Sequence, residues 1–247
     1  MIEIESDFLE FISGNDHASQ LVKSHYLATK KRFNFVSRQY KKWIFKQVIP
    51  HRQYDQTAEG LIDMYKFTER WWLYRYLAYP YWKKRRQPYR IVAQSIIDNS
   101  TQPIIVDYGC GLGFISFEIG HQNQCSEIFL VDVDTLILKF ASFRFAKHGI
   151  KANSIQVSKE NLYPELPKHN VCIAWEIFEH LKEPLKAFDN IISSLEPGGL
   201  LCGWFRDHEE DATHVTPDSG PIREQINQHF TQITKFLYQR RNENEIH

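Results

Sequence analysis

VDYGCGLGF, at residues 106–114, is the stretch that decides the fold. An apolar run that begins at Ile104 leads into it, glycines stand at the alternate positions 109, 111 and 113, and an apolar helical pattern follows. Glycine is needed where the backbone takes a positive φ or lies against a ligand, because a Cβ would clash there. A flexible loop would explain the glycines alone. The strand pattern before them and the helix pattern after them favour a tight, ligand-binding turn.

From Pro103 onward, short β-branched runs alternate with helical patterns, which is typical of βα units and a parallel sheet. Strands are predicted at residues 104–107, 128–132, 154–157, 171–175, 200–205 and 232–238. Helices are predicted at residues 114–121, 135–148, 184–195 and 222–229. We therefore expect an α/β fold with a doubly wound, mostly parallel sheet that binds its ligand at the carboxyl ends of the strands.

The first 100 residues differ, with few helix breakers and many aromatic residues at helical spacing. Helices are predicted at residues 19–35, 40–48, 57–77 and 90–98. YKKW at residues 40–43 and YWKKRR at residues 81–86 interleave aromatic and basic side chains, a pattern that can bind nucleic acid. Such side chains more often pack on a neighbouring domain and keep their charges in water. We interpret residues 1–100 as a helical, aromatic-rich extension that forms a lid over a catalytic domain at residues 101–247.

The charges of the 247-residue chain cancel, with 30 Lys and Arg against 30 Asp and Glu. Residues 1–95 nevertheless carry 17 basic and 9 acidic residues, so the two parts have opposite excesses. The zero total disfavours a dedicated nucleic-acid binder. The N-terminus lacks a secretory pattern, and no apolar run approaches the roughly 20 residues of a membrane span. The four cysteines form no C-x-x-C pair, which predicts free thiols and a cytoplasmic location.

The glycine spacing indicates the kind of ligand. The dinucleotide fingerprint is G-x-G-x-x-G, whereas residues 109–113 have the pattern G-x-G-x-G after an acid, which suits a cationic ligand without phosphate. The stretch resembles motif I of the class I S-adenosylmethionine-dependent methyltransferases, and the resemblance extends from residue 104 to residue 205. It implies a Rossmann-like fold and S-adenosylmethionine as the cofactor. The residues that would hold the methionine portion are Asp107, Gly109, Cys110, Gly111 and Gly113.

The second predicted strand ends in a further acid, Asp132, which lies 19 residues beyond the last glycine of the loop. In the family that this part of the chain resembles, an acid at the position of Asp132 accepts hydrogen bonds from both ribose hydroxyls. Val133 would then contact the adenine. Asp134 is predicted to cap the helix that follows, since aspartate is a preferred N-cap.

The adenine contacts depart from the family pattern. Members often have an acid after the third strand, and this chain has Ser158 there. We therefore expect groups at Ser158 and Lys159, including their backbone, to bind the adenine. Trp175, at the end of the fourth predicted strand, completes the predicted cofactor site.

Residues 176–180, EIFEH, follow the fourth strand, where catalytic residues gather in sheets of this type. Glu176, Glu179 and His180 are the predicted catalytic residues, because two carboxylates and an imidazole at this spacing can face one point. The run resembles that of the ubiquinone-pathway O-methyltransferases and of enzymes that methylate the 3′-terminal 2′-hydroxyl of small RNAs. In the RNA family a further histidine after the fifth strand completes a metal site. The candidates in this chain are Asp207, His208 and His214, of which His214 is favoured.

Two interpretations of this cluster stay open. Glu176, Glu179, His180 and His214 would hold one divalent ion, because mixed carboxylate and imidazole ligands suit Mg²⁺, Mn²⁺, Zn²⁺ or Fe²⁺. Alternatively no metal is bound, and His180 takes a proton or shapes the acceptor pocket.

Together these features predict a methyltransferase that acts on the oxygen or nitrogen of a small-molecule acceptor, with no membrane partner. RNA 3′-terminal 2′-O-methylation is the alternative suggested by EIFEH and the basic N-terminal part. A protein that binds the cofactor without methylating is the third hypothesis. Residues 239–247 are too short and polar to pair with the strand before them. The last strand of the family's sheet is therefore expected to be missing, or to come from a second chain in a homodimer.

Overall fold

The computed structural model describes residues 4–14, 17–34, 38–48, 57–79, 83–208 and 214–242. Tyr81 and Trp82 of the predicted basic-aromatic stretch lie outside these ranges, as does the acidic segment at residues 209–211. Within the described ranges, no helix has the length and apolar character that a membrane span requires. All four cysteines are free thiols, as predicted.

The described residues form one sheet of seven strands, in the order β3-β2-β1-β4-β5-β7-β6. The strands are β1 Ile104–Tyr108, β2 Glu127–Val133, β3 Ala152–Val157, β4 His169–Ala174, β5 Leu195–Gly203, β6 Phe230–Thr234 and β7 Leu237–Arg240. The first five strands are parallel, and β7 pairs antiparallel with both β5 and β6. The predicted mostly parallel, Rossmann-like α/β fold is confirmed.

Helices lie before and between the strands. They are α1 Ile4–Phe11, α2 His17–Phe33, α3 Arg38–Val48, α4 Ala58–Ala78, α5 Lys83–Asn99, α6 Phe114–His121, α7 Leu136–Lys147, α8 Pro184–Ser194 and α9 Gly220–His229. A short 3-10 helix at Phe178–His180 follows β4.

The central strands of the sheet are buried on both faces, because successive side chains along each strand point to opposite faces. Ile105 of β1 packs in a cluster with residues of α5, α6 and α7, whereas its neighbour Val106 packs among residues of α8 and α9. Both side chains are fully buried. Because β1, β2 and β4 are parallel neighbours, the loops that follow them meet at one edge of the sheet.

The strand predicted for the C-terminal part of the chain was wrong. Residues 232–238 are not one strand, because the chain turns at Lys235 and forms a hairpin of β6 and β7. Phe230 and Leu237 are buried, while the other residues of β6 are exposed. An edge strand needs apolar residues on its inner face only, so the polar sequence misled the prediction. The sheet is completed within one chain, and this feature no longer supports a homodimer.

The N-terminal helices share a hydrophobic cluster with the rest of the chain. It joins Phe8, Tyr26 and Tyr74 to Leu112 of the glycine loop and Phe140 of α7. The ring centroids of Phe8 and Phe140 lie 5.3 Å apart. The helices that were predicted to form a lid therefore pack directly on the catalytic part, and residues of both parts are buried in one hydrophobic cluster. The domain boundary at residue 100 stays a prediction.

A buried carboxylate fastens α1 to α7. The side chain of Asp7 is 1% exposed, and one of its oxygens lies 3.4 Å from Nε of the fully buried Arg144. Lys147 and His148 each approach Asp7 to 2.9 Å. Burial by itself raises the pKa of Asp7, but hydrogen bonds from Lys147 and His148 lower it overall. Breaking a buried pair of this kind costs about 3–5 kcal/mol, so the layer is held firmly at this point.

The start of α7 is capped from another helix. Asp134 was predicted to be its N-cap, but the N-cap is Thr135, whose side chain makes no capping bond. The amide of Leu136 instead donates to Oε2 of Glu69 in α4, at 2.6 Å. Asp134 forms an ion pair with Lys139, at 3.5 Å. Because α4 supplies the carboxylate that this helix terminus favours, the local sequence does not have to.

Candidate cofactor and catalytic site

A cavity of about 250 Å³ lies at the carboxyl ends of β1, β2 and β4. The glycine loop forms one side of it, and Tyr65, Trp72 and Tyr76 of α4 form the opposite side. A mostly apolar pocket of about 90 Å³ shares Gly109 and Asp132 with the cavity and is covered by the start of α4. The two spaces together lie where a doubly wound sheet binds its ligand.

Gly109 begins the loop in a conformation that excludes side chains. Its φ is +69°, and a Cβ added there would lie 2.4 Å from Cδ1 of Ile177. Its amide donates to the carbonyl of Val131 at 2.8 Å, which ties the loop to β2. Both the backbone conformation and the lack of space therefore require glycine at this position.

Gly111 lies against α4. Its φ is +53°, and an added Cβ would lie 3.3 Å from the ring of Tyr76. Cys110 lines the cavity beside it, while the amide of Gly113 donates to the carbonyl of Cys110 at 2.8 Å and closes the turn. The loop therefore presents bare backbone between the sheet and α4.

A buried carboxylate, Asp107, and a half-buried one, Asp132, line the cavity beside the loop. Asp132 accepts hydrogen bonds from the amides of Gly111 and Val133, both at 2.7 Å. Asp107 accepts a hydrogen bond from the hydroxyl of Ser116. Burial raises the pKa of Asp107 to about 7, although the Ser116 hydrogen bond opposes the shift, and burial also raises the pKa of Asp132. Both groups would be stabilised in their ionised form by a cation in the cavity.

The predicted adenine contacts divide into two groups. Val133 lines both the cavity and the smaller pocket. Ser158 and Lys159 are not among the residues that line either space. The ammonium of Lys159 instead lies 2.5 Å from the carboxylate of Asp63 in α4, and Ser158 exchanges backbone hydrogen bonds with Asn161. The apolar side chains that do line the smaller pocket, none of which the sequence singled out, are Leu61, Ile62, Val157, Leu162 and Tyr163.

Trp175 lines the cavity as predicted. Its ring packs against Tyr89 of α5, Trp204 after β5 and Phe236 in the C-terminal hairpin, with centroid distances of 6.2, 5.9 and 5.2 Å. These contacts hold the indole at the boundary between the cavity and the core.

Three of the four residues predicted to share a metal lie together. Glu179, His180 and His214 each offer one ligand atom, and these atoms lie within 4.8 Å of one another. Glu179 is buried, and one of its oxygens lies 3.2 Å from Nε2 of His208. The rings of His208 and His214 have centroids 4.6 Å apart. The sequence therefore indicated the right segment after β5, and both of its histidines reach the cluster.

Glu176 is held elsewhere. Its carboxylate lies 3.2 Å from the guanidinium of Arg206, and it does not belong to the group that Glu179 forms. Its φ is +50°, which is strained for a residue with a long side chain. Such strain costs on the order of 1–3 kcal/mol and occurs most often at functional sites. The turn into the 3-10 helix after β4 thus directs the two glutamates to different partners.

A helical lid over the catalytic domain was predicted, but the residues of α4 that line the cavity were not. Tyr65, Trp72, Arg75 and Tyr76 line it, and the sequence offered only the density of aromatic residues as a signal. Tyr65 lies seven residues before Trp72, and Arg75 and Tyr76 lie three and four residues after it, which places all four on one face of α4. A helical pattern can indicate such a face without showing which surface it covers.

A methyltransferase domain model and several proteins resemble parts of the chain in sequence or in fold. Residues 106–201 match the family model described as a methyltransferase domain. An uncharacterised protein of Synechococcus sp. is 30% identical over 106 residues, 40% of this chain and 24% of that protein. The uncharacterised methyltransferase YodH of Bacillus subtilis is 29% identical over 114 residues, 46% of this chain and 47% of YodH. An O-methyltransferase family protein from Burkholderia thailandensis has a TM-score of 0.58 at 13% identity, over 84% of this chain and 71% of that one.

The matched segment contains the glycine loop, Asp132 and the EIFEH run. The match supports the methyltransferase domain predicted for this segment, and the seven-stranded sheet has the predicted Rossmann-like fold. The chain spans less than half the length of the two curated relatives it matches. The Burkholderia structure shows the shared fold.

Two glycines with positive φ, Gly109 and Gly149, allow the cost of steric crowding to be measured apart from the cost of the backbone conformation. Gly149 also has a positive φ, +70°, but an added Cβ there would meet nothing within 4 Å. We expect Gly149→Ala to lower the free energy of unfolding by about 1 kcal/mol, the cost of the conformation. Gly109→Ala should cost at least about 1 kcal/mol more, because Ile177 must move. Urea unfolding of the two variants measures this, and equal losses would contradict the described packing of the loop.

Proposed function

We propose that this chain is a methyltransferase that transfers the methyl group of S-adenosylmethionine to an oxygen or nitrogen of a small-molecule acceptor. One observation carries the proposal. A single cavity has Asp107, Asp132 and the glycine loop among its lining residues, and it also has Glu179 and His180. A binding site for a cationic cofactor and a group that can take a proton thus lie in the same enclosed space.

The residues of the cavity fit the cofactor. The buried carboxylate of Asp107 and the half-buried carboxylate of Asp132 favour a cation, and the glycine loop lines the cavity beside them. Asp132 would hold the ribose, the loop beside Asp107 would hold the methionine portion, and the apolar pocket beside Val133 would hold the adenine. When bound, S-adenosylmethionine supplies a methyl group on a sulfonium, an activated centre for in-line displacement.

The shape of the cavity supports a small acceptor. Aromatic side chains from α4, α5 and the end of β4 line it, and α4 covers the strand ends. Such walls exclude water and orient an acceptor, which is the main requirement of methyl transfer. An RNA terminus needs an open, basic approach, and the enclosure by α4 disfavours it. We place the acceptor beside Tyr89 and Trp175, which line the same cavity.

The acceptor's proton would be taken by His180. His180 lies in the cavity beside Glu179 and His214, so that a positive charge formed on its ring is stabilised by the neighbouring carboxylate. The same three side chains have the donor set for Mn²⁺, Zn²⁺ or Fe²⁺. They, and not Glu176, would hold such an ion, whose charge would lower the pKa of an acceptor hydroxyl.

The pKa of Asp107 gives a test of the cofactor site. An ammonium group pairs with the ionised carboxylate, so below pH 7, where free Asp107 is protonated, binding must release a proton. The affinity for S-adenosylhomocysteine should rise as the pH increases through about 7 and level off above it. The change should be at most about tenfold per pH unit. Calorimetry at several pH values measures the affinity. Asp107→Asn is the control: it should bind more weakly, and its affinity should show no rise near pH 7.

Absence of S-adenosylhomocysteine binding by the unaltered chain would contradict the proposed function. A rise that persists in Asp107→Asn would show that another group titrates.

Chelation separates the two roles open to the cluster. We expect methyl transfer to an acceptor identified from a panel of phenols, hydroxy acids and amines to survive removal of metal by a chelator. His180→Asn should lower the rate by about 10²-fold or more, because general-base catalysis contributes that much. Loss of activity on chelation, restored by Mn²⁺, Zn²⁺ or Fe²⁺, would instead show metal assistance. Methylation of RNA with none of the panel would contradict the small-molecule acceptor.

A further inference from the structure

Arg75 lies in the cavity on the side formed by α4. The carbon at the centre of its guanidinium is 5.0 Å from the ring centroid of Trp72 and 5.8 Å from that of Tyr79. Both aromatic residues are buried, and they are one helical turn before and after Arg75. The two rings therefore hold the guanidinium in place at the cavity wall.

The neighbours of Arg75 place it near the glycine loop. The ring of Tyr76 is the nearest group to the missing Cβ of Gly111. The ring of Tyr79 stacks on Phe114, the residue that directly follows the loop, with centroids 6.0 Å apart. Arg75 thus belongs to the end of the cavity where the loop presents its backbone.

A second arginine, Arg206, also lines the cavity. It follows β5, and its guanidinium is 3.2 Å from Glu176 and over the ring of Trp204 at 4.2 Å. Among the described residues of the cavity wall, these two are the arginines, and Arg75 is the one that α4 supplies, next to the Tyr76 ring that packs on Gly111.

The charges at the loop end match a zwitterion. Asp107 and Asp132 provide acceptors, and Arg75 provides a cation on the wall of the same cavity. The methionine portion of S-adenosylmethionine carries an ammonium and a carboxylate on one carbon. Guanidinium groups bind carboxylates with two parallel hydrogen bonds, which makes them specific as well as strong.

We propose that Arg75 binds the carboxylate of the cofactor's methionine portion, so that α4 recognises the cofactor as well as covering it. The inference rests on the proposed function. It adds a binding residue that lies outside the segment matching the methyltransferase family model.

A comparison of two ligands on two proteins tests this. The ligands are S-adenosylhomocysteine and its decarboxylated analogue, and the proteins are the unaltered chain and Arg75→Met, which keeps the length and packing of the side chain. Calorimetry should show that the unaltered chain binds S-adenosylhomocysteine about 10- to 100-fold more tightly than the analogue. In Arg75→Met the two ligands should differ by less than about threefold. Arg70→Met, an exposed position on the same helix, is the matched control and should keep the full difference.

The outcomes are distinguishable. If the unaltered chain binds neither ligand, the proposed function is overturned. If it binds both equally, or if Arg75→Met keeps the full difference, the inference alone is overturned, and Arg75 would then face the acceptor. Arg75→Lys keeps the charge and should retain part of the difference, which provides a second measurement should the methionine variant fail to fold.

Discussion

The structure depends on the contact between α4 and the glycine loop. The ring of Tyr76 lies 3.3 Å from the position that a Cβ at Gly111 would take, so the absence of a side chain there lets the helix pack closely on the loop. Arg75 of this helix lines the same cavity as Asp107 and Asp132, whose pKa values burial raises. Without the contact between α4 and the loop, the carboxyl ends of the strands would be open to water.

Three further contacts hold α4 across this edge of the sheet. Glu69 accepts the amide of Leu136 at the start of α7, and Asp63 pairs with Lys159 after β3. The buried aromatic cluster shared with α7 supplies the apolar area. Each hydrogen bond is worth about 1 kcal/mol, whereas burial of a large apolar side chain stabilises by about 1.5–3 kcal/mol, so packing dominates and the polar contacts set the register. The N-terminal layer is thus part of the site as well as of the core.

The parts predicted correctly from the sequence are those encoded in consecutive residues. The helix after the glycine loop has its predicted bounds, 114–121, and the strand before it gains one residue. What the sequence did not show depends on residues far apart in the chain, such as Glu69 at the start of α7, or Arg206 beside Glu176. The C-terminal hairpin was missed because an edge strand needs so little apolar sequence. The resemblance predicted that Glu176, Glu179, His180 and His214 lie together. In the structure Glu179, His180 and His214 do so, and Glu176 does not belong to that group.

Hydrogen–deuterium exchange with and without S-adenosylhomocysteine tests most directly whether α4 belongs to the cofactor site. The ligand should slow amide exchange in residues 58–78 as well as in residues 106–114, because binding between the loop and α4 suppresses the opening of both. Exchange in α9, which lines neither cavity, should stay unchanged. Slower exchange in the loop with no change in α4 would show that the helix only covers the domain, and it would contradict this account of the site.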